Sequence, residues 1–212
     1  MKKTLLLALI FFTVKAYSQT VGYEISAGLT YTNLPGTGTL NLSPSSEHIA
    51  GFRFGGLMDI GLKALSIQPG IFYTTTGGQG KVYFTNSNGT VNYFVNNRIV
   101  LDYVEIPMNL MYKFKAGSGT LFIGGGPYVA IGVSGKIKYA TNESYGTTQN
   151  LTFGSNSWQI KNPDLGLNIS ECYKFNTGLA ISAGYRFGLS SIYNNATSNK
   201  NQGLNLSVGY FF

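Results

Sequence analysis

Along most of the chain apolar residues return at every second position, and the positions between them are small or polar. Val21, Tyr23, Ile25, Ala27, Leu29 and Tyr31 alternate with Gly22, Glu24, Ser26, Gly28 and Thr30, the period of a β-strand with two unlike faces. The alternation recurs through Ala50 to Leu62, Leu65 to Thr74, Val104 to Phe114, Leu165 to Phe175 and Leu179 to Leu189, and it closes the chain with Leu204, Leu206, Val208, Tyr210 and Phe212. Pro69 and Phe72 interrupt the third of these segments. A Gly-rich segment, Thr120 to Val133, has ambiguous faces but completes a count of eight predicted strands.

The connections alternate too. Lys63-Ala64, Lys115 to Gly119 and Asn176-Thr177 are tight, whereas 32–48, 77–98, 134–163 and 191–202 are long and rich in Asn, Ser, Thr and Gly. This parity predicts an all-β fold, an eight-stranded antiparallel up-and-down transmembrane β-barrel with short periplasmic turns and long extracellular loops. A soluble sandwich or barrel would put Lys, Glu and Asp on its outer face. Here the non-apolar face is mostly Gly, Ser, Asn and Thr, which suits a filled lumen. Val82-Tyr83-Phe84 and Val91-Asn92-Tyr93 flank the turn dipeptide Asn88-Gly89, so strands three and four are expected to protrude as a ribbon. The third long loop is expected to do the same through Lys136 to Tyr139 and Trp158 to Ile160.

The N-terminus adds a destination. Lys2 and Lys3 precede the apolar run Leu5 to Val14, and Ala16-Tyr17-Ser18 offers a cleavage site, so residues 1–18 are expected to be a signal peptide and 19–212 the barrel domain. No later stretch reaches the ~20 apolar residues of a spanning helix. Removal of Lys2, Lys3 and Lys15 lowers the formal charge from +7 to +4, and the remaining cations are scattered, so no nucleic-acid surface is expected. Only 11% of residues are charged against 28 glycines, 15 tyrosines and 14 phenylalanines, a balance that suits a membrane wall better than a soluble domain. The single Cys172 cannot form an internal disulfide.

Several strings resemble the PorT-like outer-membrane β-barrel family: Tyr103-Val104-Glu105-Ile106-Pro107, Gly125-Gly126-Pro127-Tyr128, Asp164-Leu165-Gly166-Leu167, Tyr185-Arg186-Phe187-Gly188-Leu189 and Val208-Gly209-Tyr210-Phe211-Phe212. Their order and spacing carry the resemblance. It implies an outer-membrane barrel without known catalytic residues and, for some members, a part in assembling a protein secretion machine.

Inward parity assigns Glu24, Arg53, Asp59, Glu105, Lys113, Lys174 and Arg186 to the lumen. In so narrow a barrel these three acids and four bases are expected to form a salt-bridged polar network rather than line an open channel. Glu171 has lipid-facing parity unless a bulge near Ser170 turns it inward, and Asp102, of the same parity, is expected above the bilayer. Val208, Tyr210 and Phe212 are expected to act as the C-terminal insertion signal read by the barrel-assembly machinery.

Catalysis and metals find little support. His48, the only histidine, lies near Ser43, Ser45 and Ser46, but adjacent Glu47 would point to the opposite side and orient it poorly. The scattered acids lack calcium-loop spacing, and one His and one Cys make no zinc site. Gly124-Gly125-Gly126-Pro127 is followed by no Lys-Ser/Thr and opens no helix, so its glycines are read as relief for crowding in a curved wall. No cofactor is expected. The loops hold more aromatics than solvation requires, among them Tyr83, Tyr93, Tyr139 and Trp158, which serve either partner recognition or cross-strand packing. The expected role is a non-enzymatic structural or interaction protein, its partners being outer-membrane lipid, lipopolysaccharide and a protein or glycan at the loops. A narrow pore or solute transporter is the first alternative, and a lipid-modifying enzyme the second.

Overall fold

Strands with one greasy and one polar face bury their backbone hydrogen bonds best when the sheet closes on itself, because closure leaves no unpaired edge at hydrocarbon depth. The computed structural model describes residues 19–35, 47–85, 91–141, 144–194 and 199–212, without the side chains at 19, 82–85, 91–94, 141, 144 and 145. The predicted leader 1–18, the serines near His48 and Asn88-Gly89 lie outside the described residues. The strands are β1 (Gln19–Asn33), β2 (Ile49–Leu62), β3 (Leu65–Thr85), β4 (Val91–Ala116), β5 (Gly119–Thr141), β6 (Ser144–Leu151), β7 (Asp164–Lys174), β8 (Leu179–Gly188) and β9 (Gln202–Phe211). All pairings are antiparallel. The sheet runs β4-β3-β2-β1-β9-β8-β7-β5 and is shut by β4 pairing β5. The ring therefore has eight strands, and β6 adds to β5 only beyond it, from Gly135–Leu151 to Thr141–Ser144.

The side chains stand as the pattern demands. Tyr23, Ile25 and Leu29 of β1, Ile106, Met108 and Leu110 of β4 and Leu204, Leu206 and Val208 of β9 are exposed on the outside, while Glu24, Ser26 and Thr30, then Glu105 and Asn109, then Ser207 are buried within. The outward apolar stretch of β4, Val104 to Phe114, is eleven residues long. At ~3.3 Å per residue and a tilt of ~40° it covers about 25 Å, the height of a lipid-facing band. Aromatic rings gather at both rims, as in the Phe52, Phe54 and Tyr73 stack and the Tyr210–Phe212 pair.

Four details complete the sequence reading. Phe72 interrupts the alternation without ending β3, because it takes the inward parity of Gln68 and Thr74 and is 5% exposed. The ambiguous fifth strand puts Phe122, Tyr128 and Ala130 inside and Ile123, Val129 and Ile131 outside. The ladder around Ser170 is regular on both sides, with Glu171 opposite Ile123 and Ala183, so no bulge turns Glu171 inward and it faces out. Asp102 also faces out and accepts a hydrogen bond from the Thr75 hydroxyl at 2.7 Å.

Polarity inverts at the loop end. On β4 the inward positions are polar at Glu105 and Asn109 but apolar at Tyr103, Leu101 and Ile99, all three fully buried. These join Ile137 of β5, Leu34, Ile160, Ile192 and Tyr193 in an apolar core that lies beyond the lumen. The partner of the β5 extension is β6, not the expected Trp158 to Ile160 segment. That segment instead bends over the mouth, where Ile160 bridges Phe153 and Tyr193. The physical reason is the change of solvent: outside the bilayer an apolar face must find a protein core.

Prolines interrupt the wall along one line. The β2–β3 ladder lapses opposite Pro69, the β3–β4 ladder opposite Pro107 and the β4–β5 ladder opposite Pro127. Each proline lacks the N–H its neighbour strand would use. Met108 sits opposite Pro69 and in register with Pro127. A Cβ on Gly126 would collide with the Met108 carbonyl oxygen, so a glycine is needed there for the two backbones to approach.

Candidate functional site

Inside the ring the charges sort into two layers. Near the loop end Arg53 of β2 donates from Nη2 to Glu105 Oε1 of β4 at 3.0 Å, while Arg186 of β8 pairs with Glu105 Oε2. One carboxylate thus links three strands drawn from both sides of the lumen. Both guanidiniums rest on rings, Arg53 3.5 Å from the centroid of Phe72 and Arg186 4.7 Å from that of Tyr128. Such stacking suits the weakly hydrated, planar arginine head.

Toward the turn end Lys113 approaches Asp59 at 3.6 Å, and Gln68 donates to the other Asp59 oxygen at 2.9 Å. Beneath them the lumen is apolar, with Met111, Phe122, Cys172 and Phe211 in contact. Lys174 places its Nζ 4.7 Å from the Phe211 ring, and Phe122 stacks on Phe211 at 5.8 Å. Glu24 is buried beside Gly209 and joins no ion pair among the described residues. The seven sequence-selected charges therefore all point inward, but the ion pairs unite five of them in two clusters rather than one.

Around the Arg53–Glu105–Arg186 layer lies a polar cavity of about 40 Å³, bordered also by Thr30, Asn109 and Asn168. That volume accommodates a few water molecules and no hydrated solute. Above it Tyr103 and Tyr128 begin the apolar cap, with Phe153 set edge-on to Tyr103 at 5.7 Å. The lumen is thus filled by ion pairs and shut by a dry plug at the loop end.

Asp164 is a residue the sequence reading did not single out. It is 1% exposed and accepts hydrogen bonds from the Ser190 hydroxyl and the Asn201 amide, both at 2.8 Å. It pins the last long loop to the tip of β7. Its signal lay in one of the strings quoted above, and the structure explains those strings together: Glu105, Tyr128, Asp164 and Arg186 come from four of them and meet at the boundary between lumen and cap.

The other candidates are dispersed. His48 stacks flat on Tyr31 with centroids 4.6 Å apart, and the Glu47 carboxylate is held by Gln79 at 3.0 Å, so histidine and acid do not face one another. Tyr139 packs half-buried against the cap and donates weakly to Gln149 at 3.5 Å. Trp158 stands 70% exposed. Tyr83 and Tyr93 lie on the β3–β4 ribbon, where they occupy neighbouring registers, and their side chains are outside the described set. Val208, Tyr210 and Phe212 line the outer wall at the turn end, where the Phe212 amide donates to Tyr23 at 2.9 Å.

Residues 17–194 match the outer membrane protein beta-barrel domain family. No curated protein matches the sequence. Among solved structures the chain is similar to Neisserial surface protein A at 14% identity and a TM-score of 0.44, over 92% of this chain and 100% of that one. It is similar to the attachment invasion locus protein Ail of Yersinia pestis, solved with the heparin analogue sucrose octasulfate, at 14% identity and 0.42, over 91% and 99%. A major outer membrane protein from Thermus thermophilus gives 12% identity and 0.49, over 91% and 100%.

Proposed function

The chain belongs to the outer membrane protein β-barrel domain family, and on that premise we propose that it is a closed, non-enzymatic barrel of the bacterial outer membrane that acts through its extracellular end. One observation carries this reading: Glu105 holds Arg53 and Arg186 across the lumen directly below an apolar cap. A solute path would need both to move. The part that reaches beyond the lipid is large, since β3, β4 and β5 continue past the ring and β6 is added there. Partner contact is therefore assigned to that platform, with Trp158 as its most exposed aromatic among the described residues. Purified protein in planar bilayers is expected to give no conductance steps, and regular unitary steps would overturn the reading in favour of a pore.

A part in protein secretion is the second reading, supported by the strings that resemble the PorT-like family. Deleting the gene and quantifying secreted protein tests it, with reduced output the expected result. Removal of residues 1–18 on export is tested by the N-terminal sequence of the outer-membrane protein, expected to begin at Gln19.

A further inference from the structure

Arg98 of β4 and Lys138 of β5 are direct cross-strand partners beyond the membrane. Their chain neighbours Ile99 and Ile137 also pair and are buried in the cap, so strand alternation turns Arg98 and Lys138 outward together. Lys136, opposite Val100, points the same way. Like charges at a directly opposed pair destabilise a sheet. Among the described residues none of the three has an ion pair. The acids on this face are engaged elsewhere: Asp102, one outward position below Val100, takes the Thr75 hydroxyl, and Glu47, beyond β3, is bound to Gln79. The patch thus keeps three cations with no protein counter-ion among the described residues.

Its height says what could supply one. The outward face of β5 is apolar at Ile131 and Val133, both exposed, and then changes to Lys136 and Lys138. Three to five residues above Val133, at ~3.3 Å each and a tilt of ~40°, is about 8 to 13 Å past the last lipid-facing residue. Lipid headgroups occupy the ~5 to 8 Å beyond the hydrocarbon, within reach of flexible lysine stems. Phosphate is the anion at that level, and a guanidinium binds it with two parallel hydrogen bonds.

We propose that Arg98, Lys136 and Lys138 form a site for the phosphate groups of the lipid A headgroup of lipopolysaccharide, whose acyl chains lie along Ile131 and Val133. A ligand bearing both chemistries matches the continuity of apolar wall and cationic patch, which a soluble polyanion would use only in part. The inference rests on the extracellular placement of the long loops, but its test does not depend on whether the lumen conducts.

The test counts lipids retained by the whole protein in native mass spectrometry after exchange with bisphosphorylated lipid A or with its dephosphorylated counterpart. Wild type is expected to retain the phosphorylated lipid at least tenfold better, and Lys136→Gln/Lys138→Gln to erase the difference. Lys63→Gln at the opposite end is expected to leave it intact. Relief of the opposed charges means that the double variant should unfold at no lower temperature than wild type in lipid-free detergent, which separates lost binding from lost fold. Equal retention of the two lipids by wild type, an undiminished preference in the double variant, or competition only by a sulfated polysaccharide would each overturn the proposal.

Discussion

Arg186 and Glu105 form an ion pair inside the barrel whose second carboxylate oxygen is already taken by Arg53. Removing the carboxylate would leave two buried guanidiniums without a counter-ion, a loss of about 3 to 5 kcal/mol for a broken buried pair. Glu105→Ala is therefore expected to lower the temperature of the heat-modifiable gel shift by roughly 10 °C. The triple variant Arg53→Leu/Glu105→Leu/Arg186→Leu should recover part of the loss. An unchanged transition in Glu105→Ala would show that the linkage does not hold the wall.

Gly126 faces the Met108 carbonyl, whereas Gly146 of β6 has open space where a Cβ would stand. Gly126→Ala should reduce the yield of folded barrel after refolding into detergent and lower its gel-shift temperature. Gly146→Ala should match wild type in both. Equal behaviour of the two variants would contradict the close approach.

Ile160 is 1% exposed in the cap, far from the lipid-facing wall. Ile160→Ala is expected to cost about 2 to 4 kcal/mol of local packing and to make 142–163 susceptible to protease added to intact cells. The barrel's gel shift should stay within a few degrees of wild type, because the two cores share few side chains. Simultaneous loss of both would mean that cap and barrel unfold as one unit.

The only cysteine, Cys172, faces the apolar floor of the lumen and is 6% exposed. It should resist a membrane-impermeant maleimide on whole cells and react once the barrel is heat-denatured. Trp158→Cys should be labelled on whole cells without denaturation. Failure to label it would place the long loops on the wrong side of the membrane.

The eight strands were legible because lipid enforces a strict two-residue period over the whole height of the wall, and Leu204 to Phe212 shows it without exception. Phe72 was legible as an interruption of the alternation, but hydrophobicity alone says nothing about a ring serving as a cushion for an arginine from the next strand. β6 and the cap escaped for another reason: at Tyr103 and Leu101 the strand leaves the bilayer, and the same apolar letters that mean outside below mean inside above. The lumen charges were legible as a set through parity, but which of them meet depends on heights around the ring, and that Glu24 joins neither ion-pair cluster among the described residues could not be foreseen. Asp164 stood only within a quoted string, because its partner Asn201 lies 37 positions away in the chain.

The line of prolines has a mechanical consequence. A cylinder laced evenly around its girth resists being squeezed equally in all directions, but here the stitches are missing on both sides of β4, at Pro107 toward β3 and at Met108 toward β5, along one oblique meridian. Deformation of the wall by a thinning bilayer or an adjoining protein should concentrate there, and the amides flanking Pro69, Pro107 and Pro127 should exchange for deuterium ahead of the rest of the girdle.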